Sequence, residues 1–509
     1  MIPFSTWVRK CITLAPTFSK TKSRALRWFN MDIGVIPSRW ESGVLFGFYA
    51  LGIIFMGTEV NTAIKAGGGS AAVADLIGMR FGVYATVLIP LLFIFAGRNN
   101  FLQFVTRWNF STFLTFHRWI ARAVFMLLMG HVGAITYSWK GQVAYSVAMS
   151  ADWVIWGTVA TCGCGVMLFQ GMLSLRRLAY EIFLVVHIVL ALFFAIGAVK
   201  HLDHFEGFSA FAYVAIAVWV FDRCVRLIRI ISFGFPEATL TLMPDNIIKV
   251  AIPKRSWWKS TPGGYGFIHF LTPSTFFQSH PFTIVDSVDS KNVITVFCRI
   301  KGGVTHSIHR KLAAKSLSMT MRVTLEGPYG FQAPVAAHDT VVFIAAGNGI
   351  PGIISETLDL AKRTRDLSAK KAELHWVVRN RSHVGIFEKE LAVLGKHNID
   401  ITIYCTGLSL NPFATPTKAE KYDEKNLSPE TLEFDVSAST LQTNSRINWI
   451  DRRPDVHTIV RGGIERSNRA VAFVTCASPA MNDEIRSAVR GNLVAGKRID
   501  LIDQLQIWA

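Results

Sequence analysis

Four histidines fall at one repeated interval in two apolar stretches: His117 and His131 in FHRWIARAVFMLLMGHVGAITY, His187 and His201 in EIFLVVHIVLALFFAIGAVKH, each pair 14 residues apart. A helix turns about 100° and rises about 1.5 Å per residue, so 14 residues return to nearly the same face about 21 Å further along. In a hydrocarbon core about 30 Å thick, one histidine of each pair then lies near each side. If the two helices run parallel, His117 faces His187 at one depth and His131 faces His201 at the other. An iron held between two imidazoles has no open position and carries electrons. A packed, hydrogen-bonded histidine would account for any one of the four but not for the shared interval, because polar groups inside a membrane are rare. The spacing therefore predicts two stacked bis-histidine haems.

The elements that hold these histidines follow from the apolar runs. A chain of 509 residues with 51% hydrophobic residues and 14 Trp, at a mean hydropathy of +0.33, is too apolar for a wholly soluble protein and too long for one domain. At about 20 apolar residues per span, six helices are predicted at about 42–58, 78–96, 113–137, 152–171, 179–199 and 208–230. An even number puts both termini on one side. The segments on that side carry Arg9, Lys10, Lys20, Lys22, Arg24, Arg27, Arg39, Arg98, Arg107, Arg176, Arg177, Arg223, Arg226 and Arg229, against Lys65, Arg80, Lys140 and Lys200 on the other. The excess places both termini in the cytosol. The third and fifth helices bear the histidines and are then parallel, with His117 and His187 as the inner site.

Residues 1–41 read as a basic cytosolic segment and 42–230 as the transmembrane haem domain. Arg9 and Lys10 interrupt any secretory leader, so the first membrane helix is expected to direct its own insertion. The net charge of +18 is largely explained by cations flanking membrane spans, so no nucleic acid is expected as a partner. None of the seven cysteines falls in a predicted outer loop, which excludes an external disulfide framework.

After about residue 235 the texture changes to short β-branched runs split by Gly and Pro, which predicts a small antiparallel β-barrel over 236–332. From 339 to 509 strands alternate with helices, as in a parallel, doubly wound α/β sheet that binds nucleotides at its strand C-termini. The polar stretch 409–446 reads as a solvated, flexible insertion.

Three motifs mark this half. His280-Pro281-Phe282-Thr283 alone could be an ordinary strand. Gly347-Asn348-Gly349-Ile350-Pro351-Gly352 follows a strand and opens a helix, so its amides could cradle a pyrophosphate, although a plain glycine turn fits equally. Cys476 ends the last long strand, where a structural cysteine is the commoner case.

Their order carries more than each alone. HPFT, GGVT at 302–305, EGPYG at 326–330, GNGIPG, a strand-end cysteine and a C-terminal aromatic resemble the ferredoxin-NADP reductase superfamily. Joined to six helices and four histidines, the chain resembles the ferric reductases, sisters of the NADPH oxidases. The segment from Arg98-Asn99-Asn100 through Trp108-Asn109-Phe110-Ser111-Thr112-Phe113 to His117-Arg118-Trp119 and Arg122 is similar to the fungal ferric-chelate reductase signature, and the resemblance spans about residues 40–509.

By that resemblance His280, Pro281, Phe282 and Thr283 hold the isoalloxazine of FAD, with Thr283 near its reactive nitrogen, and Gly302, Gly303 and Thr305 contact its pyrophosphate. Gly347, Gly349 and Gly352 receive the NADPH phosphates, Arg379 or Arg381 suits the 2′-phosphate, and Arg453 matches a nucleotide-binding arginine. Cys476 and Trp508 flank the nicotinamide; the family's Cys-Gly is here Cys476-Ala477, and Ala509 follows the aromatic. Arg118 and Arg122 either pair with haem propionates or reach the membrane interface.

NADPH gives two electrons as a hydride whereas haem accepts one at a time, so a flavin must stand between them. By that resemblance the two haems are haem b, and the reading is an oxidoreductase of the plasma membrane that passes electrons from NADPH through FAD and these haems to an external ferric or cupric chelate, for iron uptake. A homo-oligomer is allowed. The alternatives are an NADPH oxidase yielding superoxide and an inactive membrane scaffold. In the outer loops, Asp203, His204 and Glu206 could attract a metal cation or form an ordinary solvated turn.

Overall fold

Long apolar runs become long helices. α1 (Arg39–Gly57), α2 (Ser70–Ala96), α3 (Phe110–Trp139), α4 (Asp152–Gln170) and α5 (Tyr180–Leu202) are each long and apolar enough to cross a membrane. The structure is a computed structural model that describes residues 3–17, 22, 25–28, 31–57, 69–140, 145–314, 317–363, 370–397, 399–407, 447–494 and 496–504. The sixth expected span is also one continuous helix, α6 (Ser209–Phe233). It differs from the other five in carrying Asp222, Arg223, Arg226 and Arg229 along its second half, and it is not among the helices apolar enough to span. Asp222 is buried there and the turn that follows α2 satisfies it: the Asn99 backbone N–H (2.9 Å) and side-chain amide (3.0 Å) both donate to its Oδ1.

In this first unit α2 packs along α3 and α4 along α5, around Leu88, Ile89, Val124, Ala160, Phe194 and Ala215. Large apolar side chains such as Leu51, Phe169 and Ile182 stay exposed, as a surface meant for lipid requires. Residues 25–28 and 31–35 form a short antiparallel pair where the sequence predicted only a basic segment.

The second unit holds the barrel and the α/β sheet. β1 (Glu237–Met243), β2 (Ile247–Pro253), β3 (Tyr265–Phe270), β4 (His280–Asp286), β5 (Val293–Arg299) and β6 (Ser318–Tyr329) close antiparallel in the order β1-β2-β5-β4-β3-β6. β1 alternates between buried and more exposed positions because only its inner face meets the barrel core. α7 (Val304–Ala313) lies between β5 and β6.

β7 (Thr340–Ala346), β8 (Lys371–Val378), β9 (Asp400–Cys405), β10 (Ile447–Ile450), β11 (Ala470–Cys476) and β12 (Arg498–Asp503) form an all-parallel sheet in the order β10-β9-β8-β7-β11-β12. β7 and β11 are buried almost throughout, as strands covered on both faces must be. α8 (Ile350–Arg363), α9 (Val456–Arg466) and α10 (Pro479–Gly491) connect them. The first residues belong to this unit: helix Pro3–Val8 and a π-turn Arg9–Thr13 dock on the sheet, with Arg9 paired to Asp500 (2.7 Å).

Candidate functional site

The histidines meet as their spacing predicts. The His117 and His187 rings lie 6.4 Å apart and those of His131 and His201 6.1 Å, so α3 and α5 run in the same direction. Three of the four rings are oriented by a backbone carbonyl. Nδ1 of His117 donates to Leu92 (3.0 Å), that of His131 to Gly78 (2.7 Å) and that of His201 to Trp153 (2.9 Å), in the tautomer that leaves Nε2 its lone pair. Among the described residues the His187 Nδ1 is buried without a hydrogen-bond partner.

The outer pair has a further device. Gly82 lies one turn beyond Gly78, and Gly157 one turn beyond Trp153. A side chain at Gly82 would stand 2.9 Å from the His131 Nδ1, and one at Gly157 2.6 Å from that of His201. Only glycine lets each imidazole lie against the neighbouring helix and reach the carbonyl. An apolar cavity open to solvent is lined by His131, His201, Ile89, Leu128, Trp153 and Phe194. Aimed imidazole nitrogens beside an apolar cavity fit a bound haem. Arg118 bonds Thr115 (2.9 Å), and Arg122 lies over the Trp119 ring (4.7 Å).

In the second unit, His280, Pro281, Phe282 and Thr283 are half-buried where Ile284 and Val285 after them are fully buried, so the start of β4 has an accessible face. Beside it Tyr265 stacks on Tyr329 (5.8 Å), whose ring the Arg229 guanidinium covers (4.7 Å). Gly303 has φ +72° and opens α7, and a side chain at Gly302 would meet nothing within 4 Å. Thr305 fastens that turn through the Lys301 N–H (3.0 Å). The open turn at a helix N-terminus suits a pyrophosphate.

Gly347 has φ +50° and open space around it, and a side chain on Gly349 would collide with the Cys476 carbonyl. β7 and β11 are neighbours where the strand order reverses, so the glycine turn and Cys476 share the crevice at the C-terminal edge. A side chain on Gly352 would lie 3.7 Å from Thr283 Cγ2 and 3.6 Å from Gln504 Oε1. The α8 N-terminus thus brings the HPFT strand and the nucleotide turn together. Burial, aided by Asp503, pushes the Cys476 thiol up to about 12, so it stays protonated near neutrality.

Several residues here are not visible in sequence order. Glu356 on α8 is buried, accepts from Ala333 N–H (2.8 Å) and the Gln504 amide (2.7 Å), and is pushed up to about 7 by burial. Arg381 has an unexpected partner: Asp451 takes it through both oxygens at 2.9 Å, and its guanidinium lies over Trp449 (5.2 Å). Arg379 is exposed at the same strand edge. Arg453 pairs with Glu484 (3.3 Å). Trp508 and the 409–446 insertion lie outside the described residues.

Three family models match in order: "Ferric reductase like transmembrane component" over residues 81–198, "FAD-binding domain" over 232–333 and "Ferric reductase NAD binding domain" over 338–490. Two Candida albicans proteins are each 40% identical over 98% of this chain. One is named ferric/cupric reductase transmembrane component 1 (67% of its length covered), the other probable ferric reductase transmembrane component (76%). Ferric/cupric reductase transmembrane component 2 of Saccharomyces cerevisiae is 30% identical over 99% of this chain and 71% of its own.

Proposed function

The chain belongs to the ferric reductase family of transmembrane oxidoreductases with FAD- and NAD-binding domains, and on that footing we propose that it reduces ferric or cupric chelates outside the cytosol with electrons from NADPH. The observation that carries this is the pairing of His117 with His187 and of His131 with His201, at 6.4 and 6.1 Å. When bound, FAD supplies the exchange between hydride and single electrons, and haem supplies single-electron relay.

The residues do the positioning. His131 and His201 present Nε2 because carbonyls take their Nδ1 protons. Gly347, Gly349 and Gly352 leave backbone amides bare for phosphates, while Thr283 and Cys476 bound the space where two flat rings would meet. The protonated Cys476 thiol excludes water without adding a charge.

Both termini in the cytosol and residence in the plasma membrane complete the proposal, supported by the cation bias of the predicted inner segments. The test is His131→Ala or His201→Ala: each is expected to lose one haem and external ferric reduction, while NADPH still bleaches the flavin. Undiminished external reduction in either variant overturns the assignment.

A further inference from the structure

The outer histidine pair has an aromatic neighbour that leads to the surface. Trp153, in the first turn of α4, takes the His201 Nδ1–H on its carbonyl, and its indole lies 5.4 Å from the His201 ring. The same indole stacks on His204, with ring centroids 4.4 Å apart and planes 3° from parallel. Phe205 stands edge-on to both, at 5.5 Å from Trp153 and 5.2 Å from His204. His204 is exposed, and among the described residues its ring nitrogens enter no hydrogen bond. A merely solvated turn would leave this imidazole free to rotate in water. Here it is held flat on an indole at an exposed position.

We propose that His204 is a landing ligand for the external acceptor: its imidazole takes an exchangeable position on a cupric or ferric ion, and the Trp153 indole bridges the gap to the outer histidine pair. Imidazole suits both metals, copper above all. An exposed imidazole stacked one ring away from that pair shortens the distance over which an electron must pass. The inference rests on the reading that electrons leave at the His131/His201 site. A haem held by His131 and His201 would supply one electron to the bound ion, itself oxidised by that one electron, and the acceptor would leave as Cu(I) or Fe(II). The only bond made and broken is the exchangeable one between His204 and the metal.

The test uses the full chain in lipid nanodiscs, reduced by NADPH without oxygen, with haem reoxidation followed by stopped-flow. Cupric citrate and ferric citrate have exchangeable positions, whereas the six cyanides of ferricyanide do not exchange. His204→Phe keeps the aromatic stack and removes the nitrogens. It is expected to keep both haem spectra, to slow reoxidation by both citrate complexes about tenfold, and to leave ferricyanide unchanged. Equal citrate rates in wild type and variant overturn the proposal, and so does equal slowing with ferricyanide. If His204→Phe loses a haem, His204→Gln is read in the same assay with the same two outcomes. A wild type that NADPH cannot reduce, or that ferricyanide cannot reoxidise, would overturn the underlying route and the landing site with it.

Discussion

His131 and His201 each rest on a glycine of a neighbouring helix, and that missing side chain decides where the imidazole points. In Gly157→Ala the new methyl would stand 2.6 Å from the His201 Nδ1, so the ring must leave the Trp153 carbonyl. Losing such an orienting bond weakens metal binding about 10–100-fold. The variant is expected to purify with close to one haem per chain, measured by haem extraction and low-spin EPR, while Gly133→Ala, where a side chain meets nothing within 4 Å, keeps two. The histidines were legible in the sequence because a helix has a fixed period. The glycine notches were not, because which helix faces which ring is settled by packing. Asp451 was hidden for a related reason: it meets Arg381 across 70 residues of chain. That pairing also refines cofactor choice. Arg381 is already paired with Asp451, so the proposed grip on a 2′-phosphate is tested at both arginines together. Replacing both Arg379 and Arg381 by Ala is expected to raise the KM for NADPH about tenfold or more, the value of at least one charge-assisted bond, with NADH almost unaffected in the same steady-state assay.

Helix α8 does two jobs. Its N-terminal turn faces the crevice, and one turn further along Glu356 ties it to Ala333 after the barrel and to Gln504 after β12. Burial holds this carboxyl near 7 against an ordinary 4.5. A folded value above the unfolded one means that the fold prefers the neutral acid. The stability it lends is fully present below about pH 4.5 and is lost as pH rises through 7, a span worth up to about 3 kcal/mol at about 1.4 kcal/mol per pH unit. Glu356→Gln keeps the acceptor oxygen without the charge. Its temperature of flavin release, read by fluorescence, is expected to exceed that of wild type at pH 8 and to match it at pH 5. Helices and strands were largely legible, since period and turn residues act locally. α2 nevertheless begins at Ser70, ahead of the expected 78, because the small residues Ala71, Ala72 and Ala74 extend it past the apolar run. The docked turn Arg9–Thr13 was invisible, because its partner Asp500 lies at the other end of the chain.

For the whole molecule, the order of a membrane domain, a barrel and an α/β sheet was readable because each has its own residue texture; the first barrel strand begins at Glu237 and the first sheet strand at Thr340. The parallel run of α3 and α5 sets the histidine pairs about 21 Å apart along the helices, so on the proposed route from cytosolic NADPH to an external acceptor turnover carries current. An electron moving outward is driven by an interior-negative potential, at about 2.3 kcal/mol per charge per 100 mV for a full crossing. The two pairs span roughly two thirds of a hydrocarbon core about 30 Å thick, or about 1.5 kcal/mol per 100 mV. Collapsing the potential of intact cells with potassium and valinomycin is therefore expected to slow external ferric reduction, with cytosolic NADPH held constant and superoxide dismutase without effect. A protein built this way works as a rheostat on the membrane's own voltage, and each chelate it reduces draws that voltage down unless a cation follows the electron out.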